Sequence, residues 1–316
     1  MGWPWRKHTS RNEIQLGVWR QAGQCAAVGC RDGEPVLFFP ASAEDDASEA
    51  AFQQWLQQNH LAFCPTQVLM PSSAYQLHLL QAPDVDDHEL AGALRFGLGD
   101  LVNQPLESLV VEAFRLPDDA YRGRSRIAQA VVCERLVVQE LVAWCNTMSL
   151  DLRQILITEL VLLNLLALLE PEGSVGILVL NEHDGRISIF REGSLYLTRQ
   201  LHIGQQELRQ VLGSVEPGEP GLQLVPDVDG PLEYLQLEVQ RSMDYFDSQM
   251  GMGLVTQLWL LPSLTLDSEV LLERLGSAFR LPWRLLAMPG MVRDERQLLA
   301  LATALQVPVG HVDGVD

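Results

Sequence analysis

The stretch from Val175 to Gly204, VGILVLNEHDGRISIFREGSLYLTRQLHIG, admits few folds. Val175 to Leu180 is apolar apart from one Gly, as a strand buried on both faces is. Asp184-Gly185 predicts a tight turn, because Gly takes positive φ at no steric cost. Arg186 to Arg191 alternates polar and apolar side chains, the pattern of a half-buried strand. Glu192-Gly193 turns again, into a third strand over Ser194 to Leu201, and a helix is expected from Gln205.

The same grammar opens the chain. Strands are expected over Glu13 to Arg20, Gln24 to Cys30 and Pro35 to Phe39, with a turn at Asp32-Gly33 and a helix over Ser48 to Asn59. Each meander and helix leads to a further strand, Gln67 to Met70 in the first half and Gln257 to Leu261 in the second. A βββαβα unit used twice is the plan of the actin-like (ribonuclease H-like) ATPase fold, an α/β architecture whose two halves enclose a nucleotide. At 316 residues the chain is long enough for both halves.

The balance of 41 acidic against 22 basic residues gives a net charge of −19 and argues against nucleic acid as a partner, since phosphate backbones need clustered Lys and Arg. It fits a basic partner segment or plain solvation. Five cysteines without a CxxC pair point to a reducing, cytoplasmic setting rather than a disulfide framework or zinc site, and no metal is expected. Ile155 to Leu169 is the most apolar run, but Glu159, Asn164 and Pro171 cut it short of the roughly 20 residues a spanning helix needs. It reads as a strand over Arg153 to Thr158 and a core helix over Glu159 to Leu169. Residues 1–12 include MGWPWRKHTS, whose Trp and basic residues suit a membrane interface, though Pro4 argues for a flexible tail instead.

Between the first half's fourth strand and its return to the core lies an inserted α+β module over residues 75–133. Tyr75 to Gln81 alternates as a strand. A helix from Asp86 to about Leu101 places Leu90, Leu94, Leu98 and Leu101 on one face, with Asp84, Asp86 and Asp87 at its positive end. Strands over Leu109 to Leu116 and Arg126 to Cys133 flank a polar loop, Pro117 to Ser125, and a helix over Glu134 to Met148 leads back. The organisation expected is thus a first half over 13–74 and 134–172, the insertion between them, a second half over 173–304, and a tail over 305–316. Ser72-Ser73 has no recognisable His and Asp to activate it and reads as a turn.

Several runs, in this order and spacing, resemble PilM-type pilus-assembly proteins. They are Val68 to Ser73, LQAPDVDDHELAGALRF, the Glu107 to Glu112 strand, ISIFREGSLYLTRQLHIG, and LQLEVQRSMDYFDSQMG from Leu235 to Gly251. The resemblance covers nearly all the chain after residue 13 and is greatest to the branch serving mannose-sensitive haemagglutinin (MSHA) type IV pili. It implies a cytoplasmic scaffold, peripheral at the inner membrane. Its implied partners are the N-terminal tail of a PilN-like (MshJ-type) inner-membrane protein and, through it, the pilus motor ATPase complex. The implied groove for that tail draws on Leu77, Leu79, Leu90 and Leu94.

The resemblance also locates a nucleotide cleft, and at each of its corners this sequence departs from the family pattern. Gln15 stands where an Asp is usual, before Gly17, Val18 and Trp19; Asn181 replaces a second acid, with Asp184 as a displaced substitute; Leu261-Pro262-Ser263 replaces a Gly-Gly turn. Magnesium is held through carboxylates and phosphates, which Gln15 and Asn181 cannot assist with charge. Gln15, Gly17, Asn181, Asp184, Gly185 and Gly204 are therefore read as a vestigial cleft, with no cofactor expected and at most weak ATP binding. The glycines and Asp184 also have a plain reading as turn formers. The alternatives to a non-catalytic scaffold are an active actin-like ATPase or kinase, and a GspL-like cytoplasmic platform of type II secretion.

Overall fold

The computed structural model describes residues 14–40, 45–121, 126–212, 230–263, 265–279, 281–286, 292 and 294–305. The tail expected over 1–12, nearly all of that over 305–316, and part of the polar loop before Arg126 lie outside them. The chain divides into two units, residues 1–118, 124–170 and 289–316 in one and 119–123 and 171–288 in the other.

In the first unit β1 (Gln15–Gln21), β2 (Gln24–Arg31) and β3 (Glu34–Phe39) form the expected meander. Both hairpins turn on an X-Gly pair with positive φ, Ala22-Gly23 at 51° and 75° and Asp32-Gly33 at 53° and 85°, the backbone that suits the right-handed twist of paired strands. α1 (Glu49–Gln58) starts at Ser48, whose hydroxyl accepts from the Ala51 amide at 3.3 Å. β4 (Pro65–Leu69) then lies parallel beside β1.

The insertion comprises β5 (Tyr75–Gln81), α2 (Asp87–Arg95), β6 (Leu109–Arg115) and β7 (Ile127–Glu134), an antiparallel sheet in the order β5-β7-β6. Leu90 and Leu94 of α2 close one face of it against Leu109, Val111, Ala128 and Ala130. The helix stops at Arg95, short of the expected Leu101, and Leu101 is half exposed. Gly97 and Gly99 explain this, since Gly loses more backbone entropy on entering a helix than any other residue. α3 (Arg135–Thr147) leads back to β8 (Asp151–Leu156), parallel to β4, and then to α4 (Thr158–Leu169).

The second unit repeats the plan. β9 (Ser174–Leu180), β10 (Gly185–Arg191) and β11 (Ser194–Leu201) form the meander, followed by α5 (Gln205–Leu212), α6 (Gly230–Asp244), β12 (Gln257–Leu260), α7 (Ser268–Ala278) and β13 (Trp283–Leu285). Its sheet order, β11-β10-β9-β12-β13, is that of the first unit, β3-β2-β1-β4-β8, with the same switch from antiparallel to parallel at the central strand. In α6 the Glu238 carboxylate is buried and accepts from Arg199 at 3.2 Å and Arg241 at 2.6 Å, so the E-x-x-R element of this helix closes on itself.

The last helix corrects the expected boundaries. α8 (Glu295–Ala304) belongs to the first unit, not to a second half ending at residue 304. Asp294 caps it by accepting from the Gln297 amide at 2.9 Å. At its other end the Asn164 side chain of α4 donates to the carbonyls of Ala302 and Leu305 at 2.7 and 2.8 Å. These are acceptors that a helix terminus otherwise leaves unmet. Residues 119–121, read as part of the insertion, cluster with the second unit, where Asp119 accepts from the Tyr196 hydroxyl at 2.9 Å.

Candidate functional site: two strand-end crevices and an edge strand

In an open α/β sheet, ligands sit beyond the carboxyl ends of the parallel strands, where the strand order switches direction. Each unit has one such place, beside β1 and β4 in the first and beside β9 and β12 in the second.

In the first unit Gln15 is not at that end. It opens β1 opposite Cys30, the full length of the strand from the Ala22-Gly23 turn, about 20 Å at the rise of a β-strand. The residues that do close β1 are Trp19, Arg20 and Gln21, none of them acidic. Arg20 is committed to Glu49 at 2.7 Å and lies over the Trp144 ring at 5.2 Å. Gly17 is not a turn residue either. A Cβ at this position would lie 2.1 Å from the Ala300 carbonyl oxygen and 2.3 Å from the Ala304 amide, so Gly17 is the point where α8 comes down onto the sheet.

In the second unit the crevice is occupied by the chain's own side chains. Gln205, the first residue of α5, is buried. Its amide nitrogen donates to the Leu180 carbonyl at the end of β9 at 2.5 Å, and its backbone N–H donates to the Asn181 carbonyl at 2.8 Å. Its side-chain oxygen accepts from the hydroxyls of Ser263, at 2.9 Å, and Thr265, in the loop after β12. One glutamine thereby ties together the ends of both parallel strands. The amides that would meet a phosphate at the start of α5 are spent as well: Gly204 N–H on Glu207 at 3.0 Å, and Gln206 N–H on the Glu182 carbonyl at 3.0 Å.

The acids beside it are also engaged. Asn181 donates its side-chain amide to Asp184 at 2.5 Å and its backbone N–H to the Asp184 carbonyl at 2.8 Å, which closes the turn. Glu182 pairs with Arg209 of α5, whose hydrogen bond holds that carboxyl below the usual range. Gly185 corrects a second expectation, because it lacks the positive φ of the other three hairpin glycines. It is Gly for want of room: a Cβ would stand 3.0 Å from both the Ile203 carbonyl oxygen and a Leu180 methyl. Gly204 is tighter still, its Cβ falling 2.5 Å from the Glu182 carbonyl oxygen and 2.6 Å from the Asp184 amide. Asn181, Asp184, Gly185 and Gly204 are thus brought together as expected, and what they build is a packed turn.

The expected groove residues separate into two groups. Leu90 and Leu94 are core residues of the insertion, 1% and 4% exposed, and are not surface that a tail can reach. The amphipathic stripe that marked them was the stripe that faces its own sheet. Leu77 packs against the core of the first unit, and Leu79, 44% exposed, is the member at the surface. β5, which carries both, is an edge strand.

Two polar residues were undervalued in the sequence. Gln205 gave no signal beyond its place at a helix start. Glu159 did, as an acid in an apolar run: it is fully buried and accepts from the Tyr75 hydroxyl at 2.7 Å, fastening the start of β5 to α4. Among the described residues no His, Cys, Asp and Glu cluster could hold a metal ion.

No protein-family model matches the chain, and no curated protein sequence does. Solved structures do. The PilM–PilN type IV pilus biogenesis complex contains a chain similar to this one with a TM-score of 0.64 at 15% identity, over 93% of this chain and 98% of that one. A Bacteroides thetaiotaomicron protein of actin-like ATPase fold and unknown function gives 0.50 at 10% identity, over 92% and 96%. The cytoplasmic domain of EpsL, an inner-membrane component of the Vibrio cholerae type II secretion system, gives 0.49 at 15%, over 94% and 98%. At such identities the likeness is one of fold: the chain has the actin-like ATPase fold.

Proposed function

We propose that the chain is a non-catalytic cytoplasmic platform of an MSHA-type type IV pilus, peripheral at the inner membrane, which captures the N-terminal tail of a PilN-like (MshJ-type) membrane protein. Through that protein it connects to the motor ATPase complex. The observation that carries the non-catalytic half is the Gln205 bridge across the ends of β9 and β12, together with the absence of an acid at the end of β1. The full-length likeness to the chain from the PilM–PilN complex supports the partner. No described helix is long and apolar enough to cross a membrane.

The chemistry of capture is strand addition. β5 is an edge strand without a single charged side chain, so it lacks the lysines and inward charges that usually block edge pairing. An extended tail adds its backbone hydrogen bonds there, and Leu79 offers the apolar contact. The net charge of −19 speeds the approach of a tail rich in Lys and Arg, which inner-membrane proteins with a cytoplasmic N-terminus carry beside their span.

A synthetic tail peptide followed by stopped-flow fluorescence tests this. The peptide binds, and added salt slows its association more than it hastens its release. Leu79→Arg, with its circular dichroism unchanged, weakens binding about tenfold, or about 1.4 kcal/mol. Absence of binding removes the partner. Full binding in Leu79→Arg and in other folded β5 variants moves the site off this strand.

A further inference from the structure

The insertion's sheet has two edges, β5 and β6, and its hydrogen bonding fixes which backbone groups each turns outward. The Ala82 amide, just past β5, donates to the Arg126 carbonyl at 2.8 Å, and the Leu116 amide, just past β6, donates to the Ile127 carbonyl at 3.0 Å. In an antiparallel pair, residues that exchange hydrogen bonds alternate with residues that do not. Counting back along the unbroken register, Gln76, His78 and Leu80 bond to Val132, Ala130 and Ala128 of β7. Leu77, Leu79 and Gln81 therefore point their N–H and C=O groups away from the sheet, and among the described residues no hydrogen bond reaches these groups.

The other edge is guarded. By the same count Leu109 faces outward on β6, and its carbonyl accepts from Arg135 at 3.2 Å. Arg95 bonds the Leu106 carbonyl just ahead of that strand. β6 also carries Glu112 and Arg115, charges of the kind that discourage a further strand. β5 has none of these guards, and Leu77 to Gln81 extends over about 13 Å, room for a segment of about five residues.

We infer that the captured tail is read in one register, as a fourth strand bonded to the N–H and C=O groups of Leu77, Leu79 and Gln81, with an apolar side chain at every second residue. This rests on the reading of β5 as the capture strand. Side chains directly opposite one another in neighbouring strands lie on the same face of the sheet. Leu77 packs with the core of the first unit and Leu80 with the cluster under α2, so odd and even residues of β5 face opposite sides. On the odd side the tail meets Leu77 and Leu79. On the even side it meets Gln76 and His78, whose side chains lie 3.3 Å apart. Alternate tail residues are therefore apolar and those between them polar, whichever way the tail runs.

Residue-resolved amide hydrogen exchange on the full chain, with and without the synthetic tail peptide, tests the register. In the free chain the amides of Leu77, Leu79 and Gln81 exchange about tenfold or more faster than those of His78 and Leu80, and saturating peptide slows them by a similar factor. Alanine substitution along the peptide loses affinity at every second residue. Gln81→Pro gives up an outward donor and no bond to β7, a place where an edge strand tolerates Pro. It keeps the native circular dichroism and binds the peptide about tenfold more weakly than Gln81→Ala does. A bound peptide that leaves the three amides exchanging freely overturns the register and leaves capture standing at another surface. So do losses without a period of two, or a Gln81→Pro chain that unfolds, which would turn that amide toward β7. A peptide that does not bind at all removes capture and register together.

Discussion

Gly17 has no space for even a methyl group, because the backbone of α8 runs 2.1 to 2.3 Å from where a Cβ would stand. A flexible side chain could yield to such a contact; a helix backbone cannot without moving as a body. Gly17→Ala therefore destabilises by about 3 kcal/mol or more, read as a fall in the urea midpoint. The sequence showed a glycine after a strand start, and only the fold reveals that it serves packing. The five cysteines behave as residues of a core: all are buried. Burial raises the thiols of Cys25 and Cys30 from 9.0 to about 12, and that of Cys145 to about 11. A raised thiol favours the native state while it stays protonated in both states, up to the unfolded value near 9. Its contribution is lost as pH climbs from there through 11 and 12. The native chain should resist iodoacetamide at pH 8 and label fully in urea, and its stability should fall steeply above pH 9. Rapid labelling of the native chain would place a thiol at the surface.

At the scale of elements, strand periodicity was legible and helix partnership was not. The meanders, the turn pairs Asp32-Gly33 and Glu192-Gly193, and β5 and β11 lie where alternation and glycine placed them. α8 is an element that the sequence reading does not place, and nothing in its own residues says which sheet it covers. The clue lay elsewhere, in Asn164, an amide inside the apolar run of α4 that caps α8 through two carbonyls. Asn164→Leu leaves both acceptors buried without those donors and costs about 1–3 kcal/mol, measured by thermal or urea unfolding. An unchanged midpoint would show that α8 is held by its apolar face alone. Likewise Leu90 and Leu94 carried the right spacing for a surface stripe, and their partner proved to be the adjacent sheet. An amphipathic pattern marks that a face is covered without saying by what.

For the whole molecule, the doubled sheet order was written in the repeated meander, and the proposed loss of nucleotide chemistry rests only in part on residues that the sequence shows. The missing acids could be read, but Gln15 was misplaced because a strand's length and its turn must both be known to say which residue reaches the crevice. The Gln205 bridge joins three separate segments, the Leu180-Asn181 pair, the start of α5 and the loop after β12 with Ser263 and Thr265, and no local pattern announces it. The account's central claim is that an actin-like frame has been kept while its nucleotide site has been filled by protein. Isothermal titration with Mg-ATP, with phosphate release followed in the same sample, tests it most directly. The account predicts no heat beyond dilution at micromolar nucleotide and no phosphate above the protein-free blank. Micromolar affinity accompanied by phosphate release would contradict it.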